Sequence, residues 1–385
     1  MNLKTFIAGA GLLAFSLASC IQDEALNQEA AIDGCTGIHI QQATINAENH
    51  TIQLYVSGGV NLQRVEIHFD LPEGATVAPL TNSKGDEAPY YNFSEKQTRQ
   101  FKVVSEDQAH SAVYQVSLWK TQLPTKYHFE LLSSEEPFHV LYELQNDNRL
   151  EWASGNPGFK LTGEAKGNAL NYPTVQMKDG GLDGGKYVKL TTKDTGPFGA
   201  MASMYIAAGN LFIGSFDVKS ALTNPLAATQ FGFPFFEEPV SLEGYYKFQR
   251  GAVYEENNTP VPDKQDECDI YGVLYEVDEE MNSLDGGNSL TSDHIVLMAR
   301  FQAEKGNPEI SYEPAGKGDY LPEKREWTKF KFPFVPRNGK TVDAEKLKNG
   351  GYKLAIVFSS SVNGAYFKGA IGSTLCVDEV TLTVK

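Results

Sequence analysis

The 385-residue chain carries 49 acidic side chains, so carboxylate chemistry is the first to weigh. Splitting a glycosidic bond takes two carboxylates about 5 to 9.5 Å apart on either side of it. The sequence offers Asp194, Asp217, Glu237, Glu238, Glu243, Glu255 and Glu256, none of them in a recognisable catalytic motif. Glu237 and Glu238 are neighbours, so on a strand they face opposite sides and cannot act as one dyad. The chain holds no G-x-S-x-G, H-E-x-x-H, phosphate-cradling or dinucleotide fingerprint. Binding a sugar needs less: a flat ring against its C–H face, and amide or acid groups for its hydroxyls. Trp152, Tyr172, Tyr245, Tyr246, Trp327 and Tyr366 are candidate rings, and Asn156 is a candidate amide, with Asn210 and Asn363 near others in sequence. Tyr245 and Tyr246 are adjacent, so one at most faces solvent.

The elements that would position these groups follow from composition and pattern. Apolar residues make up 41% of the chain, enough for a substantial core. A net charge of −16 argues against a nucleic-acid partner, because such binding depends on cationic side chains. Residues 1–19 have the form of a secretory signal: Lys4, an uncharged run of roughly 12 residues too short to span a bilayer, then small residues. From residue 36 to 121, short alternating runs punctuated by Gly58-Gly59 and Pro72-Glu73-Gly74 predict a small β-sandwich of immunoglobulin-like type. Beyond Gln122-Leu123-Pro124, residues 122–385 read as one domain of long strands. Ile270 to Tyr275, Ile295 to Ala299, Tyr352 to Phe358 and Thr374 to Val384 stand out, and they predict a two-sheet jelly roll. The expected fold class is therefore all-β, an immunoglobulin-like sandwich followed by a larger jelly roll. Residues 211–216 are expected to form one strand and residues 343–348 a short helix. Asp263-Lys264-Gln265-Asp266-Glu267-Cys268-Asp269, following Pro260 and Pro262, reads as a solvated loop.

Four resemblances add to this reading. Leu17-Ala18-Ser19-Cys20 resembles the lipobox of bacterial lipoproteins. That implies lipidation of Cys20, a tether over residues 20–35 and attachment to the outer membrane. Asp23 and Glu24 resemble the export signal that sends lipoproteins of the Bacteroidota to the cell exterior. In the C-terminal domain, Trp152-Ala153-Ser154-Gly155-Asn156-Pro157-Gly158, Gly232-Phe233-Pro234-Phe235 and Leu242-Glu243-Gly244-Tyr245-Tyr246-Lys247-Phe248 resemble the "putative carbohydrate metabolism domain" of Bacteroidota surface lipoproteins. The resemblance implies a cell-surface accessory protein that binds or presents a polysaccharide or oligosaccharide, beside an importer and separate glycosidases. A glycoside hydrolase using two acids of the jelly roll, or an adhesin without a sugar ligand, are the alternative readings. Carbohydrate-binding jelly rolls often tie their first strand to their last with a structural calcium. Phe129-Glu130 and Val377-Asp378-Glu379-Val380 resemble that arrangement, which makes Glu130 and Asp378 the expected Ca²⁺ ligands. Besides Cys20 there are Cys35, Cys268 and Cys376. The sequence leaves a Cys268–Cys376 bridge open.

Overall fold

The structure is a computed structural model that describes residues 26–37, 40–56, 60–120, 123–145, 148–278, 281–301, 311–312, 326–348 and 350–385. Cys20, Asp23 and Glu24 lie outside these residues. The chain divides into two compact units. One comprises residues 1–38, 45–53 and 62–117, and the other residues 39–44, 54–61 and 118–385. The fold is all-β, as the alternation predicts, and its few helices are short.

In the smaller unit, strand Thr98–Val104 pairs antiparallel with both Thr76–Pro79 and Ser111–Lys120. Its side chains alternate between exposed and buried, so that Arg99, Phe101 and Val103 point inward. They meet Val65, Ile67, Tyr91, Phe93, Tyr114 and Val116 in the core. Arg99 is one of the few charged groups there, held by both oxygens of Asp86 at 2.8 and 2.6 Å.

The larger unit is a sandwich of two antiparallel sheets. In one, the strands run in the order Thr174–Met177, Tyr187–Thr191, Thr374–Val384, Pro239–Gln249, Thr328–Pro333 and Ser311–Tyr312, with Lys126–Tyr127 also on Thr374–Val384. In the other the order is Asn210–Phe212, Tyr352–Ser359, Asp269–Glu276, Ile295–Arg300 and Val335–Pro336. Leu242, Tyr246, Phe248, Phe330, Leu375 and Val377 from the first sheet share a core with Leu211, Ile270, Leu274, Leu354, Ile356 and Phe358 from the second.

The second sheet is buried on its other face too. Tyr271, Val273, Tyr275, Ala355, Val357, Phe212 and Met298 point away from the sandwich into a separate cluster with Phe231 and Leu284. An antiparallel sheet often leaves one face to solvent. Here loops cover it, which is why Asp269–Glu276 and Tyr352–Ser359 are buried almost end to end.

The single strand expected over residues 211–216 is two. Gly214 sits at φ 151, a backbone state that L side chains rarely adopt. The chain turns there, so that Asn210–Phe212 pairs with Tyr352–Ser359 while Gly214–Phe216 pairs with Thr229–Phe231. The expected helix forms over Ala344–Lys348. Cys35, Cys268 and Cys376 are buried thiols, and no disulfide joins Cys268 to Cys376. The stretch expected to be a solvated loop is exposed at Asp263, Lys264 and Gln265 and departs from that expectation beyond them. Asp266, Cys268 and Asp269 are buried, because Asp269 begins a strand and Asp266 is enclosed by hydrogen bonds.

Candidate functional site

The loops that cover the second sheet's outer face do not fill the space above it. They enclose a cavity of about 460 Å³, within the size range of small-molecule sites. Its floor is the strand ends. Asn210, Ser359 and Asp269 stand side by side across three strands, with Tyr271 opposite Arg300 one step along. The Arg300 guanidinium donates from Nε and a terminal nitrogen to Asp269 Oδ2 at 3.0 and 2.7 Å. Burial pushes the Asp269 carboxyl up, and Arg300 opposes it. The Tyr271 hydroxyl lies 3.1 Å from Ser289 Oγ.

Short-range chemistry shapes each wall. Asn156–Lys160 is a single turn of helix with Pro in its first turn, where a missing N–H costs nothing. Gly155 N–H donates to Asn210 Oδ1 at 2.7 Å, fixing that turn to the floor. A Cβ at Gly158 would stand 3.0 Å from the Phe216 ring, so glycine is what lets Phe216, carried over by the Gly214 turn, close the wall. Asp285 Oδ1 accepts from the N–H groups of Gly287 and Asn288 at 2.8 and 3.1 Å, a tight turn that delivers Ser289 to Tyr271. The lip at residues 361–367 is anchored from beneath. Asp266 Oδ2 accepts from Ser361 Oγ at 2.6 Å, Ala370 N–H at 2.8 Å and Ser373 Oγ at 2.7 Å. Helix Gly196–Met201 and the segment around Leu222 supply the remaining walls, with Phe159, Phe198, Phe231, Leu226 and Leu290 among the apolar lining.

The candidate ligand residues separate clearly. Tyr366 lines the cavity mouth and is exposed. Trp152, Asn156, Tyr172 and Tyr246 are buried and do not line this cavity. Trp152 packs among Tyr127, Phe129 and Phe358. The Asn156 amide clamps Thr174, donating to its carbonyl at 2.8 Å and accepting from its N–H at 3.1 Å. Tyr172 stacks with Phe138 and Phe159, and Tyr246 points into the sandwich core while its neighbour Tyr245 faces outward, half-buried. Trp327 is half-buried on the first sheet, with Lys247 Nζ 4.4 Å above its ring and its Nε1–H donating to Gly180 O at 3.2 Å.

The candidate acids are mostly occupied elsewhere. Glu238 pairs with Lys385, Glu243 with Lys331 and Glu256 with Lys264 and Lys368. Asp194 and Asp217 cap turns. None of them lines the cavity. The groups that sequence reasoning missed are Asp269, Arg300, Tyr271 and Ser289. The available signal was an Asp opening and an Arg closing two otherwise apolar strands.

Glu130 and Asp378 do converge, on the glycine-rich loop at residues 180–186. Lys186 N–H donates to Glu130 Oε1 at 2.8 Å, Leu182 N–H to Asp378 Oδ2 at 2.7 Å, and Glu379 N–H to Asp378 Oδ1 at 2.9 Å. Burial, with Glu379 and Glu130 nearby, pushes the Asp378 carboxyl up to about 7 against the pull of those N–H groups. Two hard oxygen donors beside each other suit Ca²⁺. Among the described residues no three His, Cys, Asp or Glu side chains are grouped to hold a metal, so backbone carbonyls or water would complete the shell. No helix among the described residues is long and apolar enough to cross a membrane.

A two-sheet β-sandwich with a ligand-sized cavity behind one sheet is the class that fold and site define. The chain belongs to the family described as "Putative carbohydrate metabolism domain", whose model matches residues 128–383. Two solved structures are similar over most of their lengths. One is described as a putative glycoside hydrolase from Bacteroides thetaiotaomicron, 39% identical, with a TM-score of 0.79 over 94% of this chain and 98% of that one. The other is described as a putative glycoside hydrolase from Bacteroides vulgatus, 37% identical, with a TM-score of 0.58 over 68% of this chain and 98% of that one. Among curated proteins no match is found.

Proposed function

We propose that the larger unit binds a carbohydrate in this cavity without hydrolysing it, and that the protein serves as an accessory to glycan use at the cell surface. The family and both structural relatives support a carbohydrate-related role. The observation that carries the reading is the cavity's chemistry. Its floor offers a charge-neutral Asp269–Arg300 pair, an amide and hydroxyls, and its walls carry aromatic rings among aliphatic side chains. That set recognises a neutral, hydroxylated ring. A charged ligand head would be desolvated there with no net countercharge. Among the described residues the lining contains one carboxylate, Asp269, and it is engaged by Arg300. Two free carboxylates across a scissile bond would favour the hydrolase.

The deciding experiment is a glycan array run beside a reducing-end assay on the purified chain. Binding without product release is the expected result. Product release abolished by Asp269→Asn would establish the hydrolase instead. The surface location rests on Cys20 as the acylated residue, with the outer membrane as the partner. Cys20→Ala should leave the protein in the soluble fraction and without the mass of the lipid. Importer and glycosidase partners follow from the same reading and are tested by pull-down from the native cell envelope. Glu130 and Asp378 are proposed to hold a structural Ca²⁺, which would neutralise two facing acids.

A further inference from the structure

The cavity is polar at its floor and apolar at its opening, the reverse of what a plain polysaccharide would use. Asp269 and Tyr271 are buried at the bottom. Around the mouth stand Leu161 (39% exposed), Phe198 (42%), Leu222 (48%) and Tyr366 (53%). These four come from four segments far apart in sequence, and each leaves apolar surface in water beside the same opening. Scattered exposed apolar residues need no explanation, but a ring of them around a cavity does. A bare sugar chain leaving the floor would need hydroxyl partners along its path, and the rim supplies chiefly hydrocarbon.

We infer that the ligand is an amphiphilic glycoside, its neutral sugar head on the floor and an apolar aglycone, alkyl or aryl, against Leu161, Phe198, Leu222 and Tyr366. This rests on the carbohydrate reading above and narrows it to a substrate class. The head enters first because the floor's polar groups are the buried ones. The aglycone recovers the rim's exposed area, and burying about 60 Å² of apolar surface gives roughly tenfold in affinity.

The test is calorimetric titration of the full chain with methyl, octyl and phenyl glycosides of glucose, galactose, mannose and N-acetylglucosamine. Octyl chains are kept below their micelle concentration. For at least one head, the octyl or phenyl glycoside is expected to bind about tenfold or more tighter than the methyl glycoside. Which arm gains more identifies the aglycone as lipid-like or aromatic. Phe198→Ser and Leu222→Ser should erase the gain of the octyl or phenyl glycoside over the methyl glycoside, while Phe198→Leu keeps it. Equal affinity for methyl, octyl and phenyl glycosides would overturn the inference and leave the carbohydrate reading intact. Equal binding of octyl tetraethylene glycol, which has the chain but no sugar, would overturn the carbohydrate reading itself. Failure of every glycoside to bind at millimolar concentration would overturn both.

Discussion

Each unit holds an Asp–Arg pair with a buried carboxylate, and their surroundings differ in a way that separates architecture from function. Arg99 in the smaller unit donates to both oxygens of Asp86, to Asn92 O at 3.0 Å and to Thr81 O at 2.8 Å. Its guanidinium also lies over Phe93 and Phe101. Burial alone would raise the Asp86 carboxyl. The Arg99 hydrogen bonds, with N–H groups of Asn92 and Ser83, overrule it and bring the carboxyl down to about 2. Arg300 donates to both oxygens of Asp269, both groups line a cavity, and the Asp269 carboxyl is held above its ordinary range by burial. The same two residue types thus form a closed knot in one place and an open floor in the other. What distinguishes them is how many backbone groups complete the network.

The largest effect expected from this contrast is on stability. Arg99→Ala strands Asp86 in a core where nothing else neutralises it, at a cost of about 3–5 kcal/mol. Arg300→Ala should cost less, because Asp269 lines a cavity that water can enter to solvate the carboxylate left behind. Denaturant unfolding of the two variants measures this directly, and equal losses would erase the distinction.

A raised carboxyl does not by itself mark a site, and Glu143 sharpens that point. Glu143 is buried in strand Val140–Gln145 and accepts from the N–H groups of His128 at 3.1 Å and Phe129 at 2.8 Å, away from the cavity. Burial pushes it from 4.5 up to about 7, against those hydrogen bonds. A group raised in the folded state favours folding fully below its unfolded value and loses that contribution as pH rises through the folded one. Stability should therefore fall by about 3 kcal/mol between pH 4.5 and 7.5, and Glu143→Gln should flatten the slope. Asp86 has the opposite sign, contributing above pH 3.8 and failing as pH drops toward 2. Asp378, raised to about 7 as well, keeps its own share of the fall, so a Glu143→Gln variant with the full wild-type slope would shift the burden away from Glu143.

Asp378 is a further buried acid on this scale, differing in having a second carboxylate, Glu130, near it. Where Ca²⁺ binds the folded state only, saturation at a hundred times its dissociation constant stabilises by about 2.7 kcal/mol. Chelator should remove that stabilisation and so lower the melting temperature, and Asp378→Ala should abolish the response. Coincident melting curves in chelator and in millimolar calcium would return both acids to the role the loop at residues 180–186 already gives them, as acceptors for its N–H groups.

The sequence made strands legible and the cavity illegible, for the same physical reason. Alternation is a local signal, so Thr98–Val104 could be read from Phe101 and Val103 alone. The near-continuous apolar runs of Asp269–Glu276 and Tyr352–Ser359 announced burial without saying what lay on the second face. The cavity is assembled from segments near residues 158, 198, 222, 289 and 366, which no periodicity connects. Trp152 and Tyr246 drew attention as large rings, but ring size favours the core as strongly as it favours a ligand. Tyr366 differs only in sitting on a short turn after a strand, where the backbone leaves it exposed.

The smallest predicted effect tests whether the open floor is a binding surface or merely a less complete knot. The Tyr271 hydroxyl and Ser289 Oγ form one hydrogen bond at the floor. Tyr271→Phe removes it while keeping the ring that packs against the outer cluster. A lost hydrogen bond of this kind is worth about 1 kcal/mol, or roughly fivefold in affinity if a ligand shares it. The expected outcome is that loss in octyl glycoside binding for Tyr271→Phe and for Ser289→Ala. The double variant should lose little more than either single one, because the two hydroxyls act as a unit and their effects do not add. An unchanged affinity with a lowered unfolding free energy would mean that this hydrogen bond only holds the residue 285–289 turn in place. The floor's recognition would then fall to Asn210 and the Asp269–Arg300 pair.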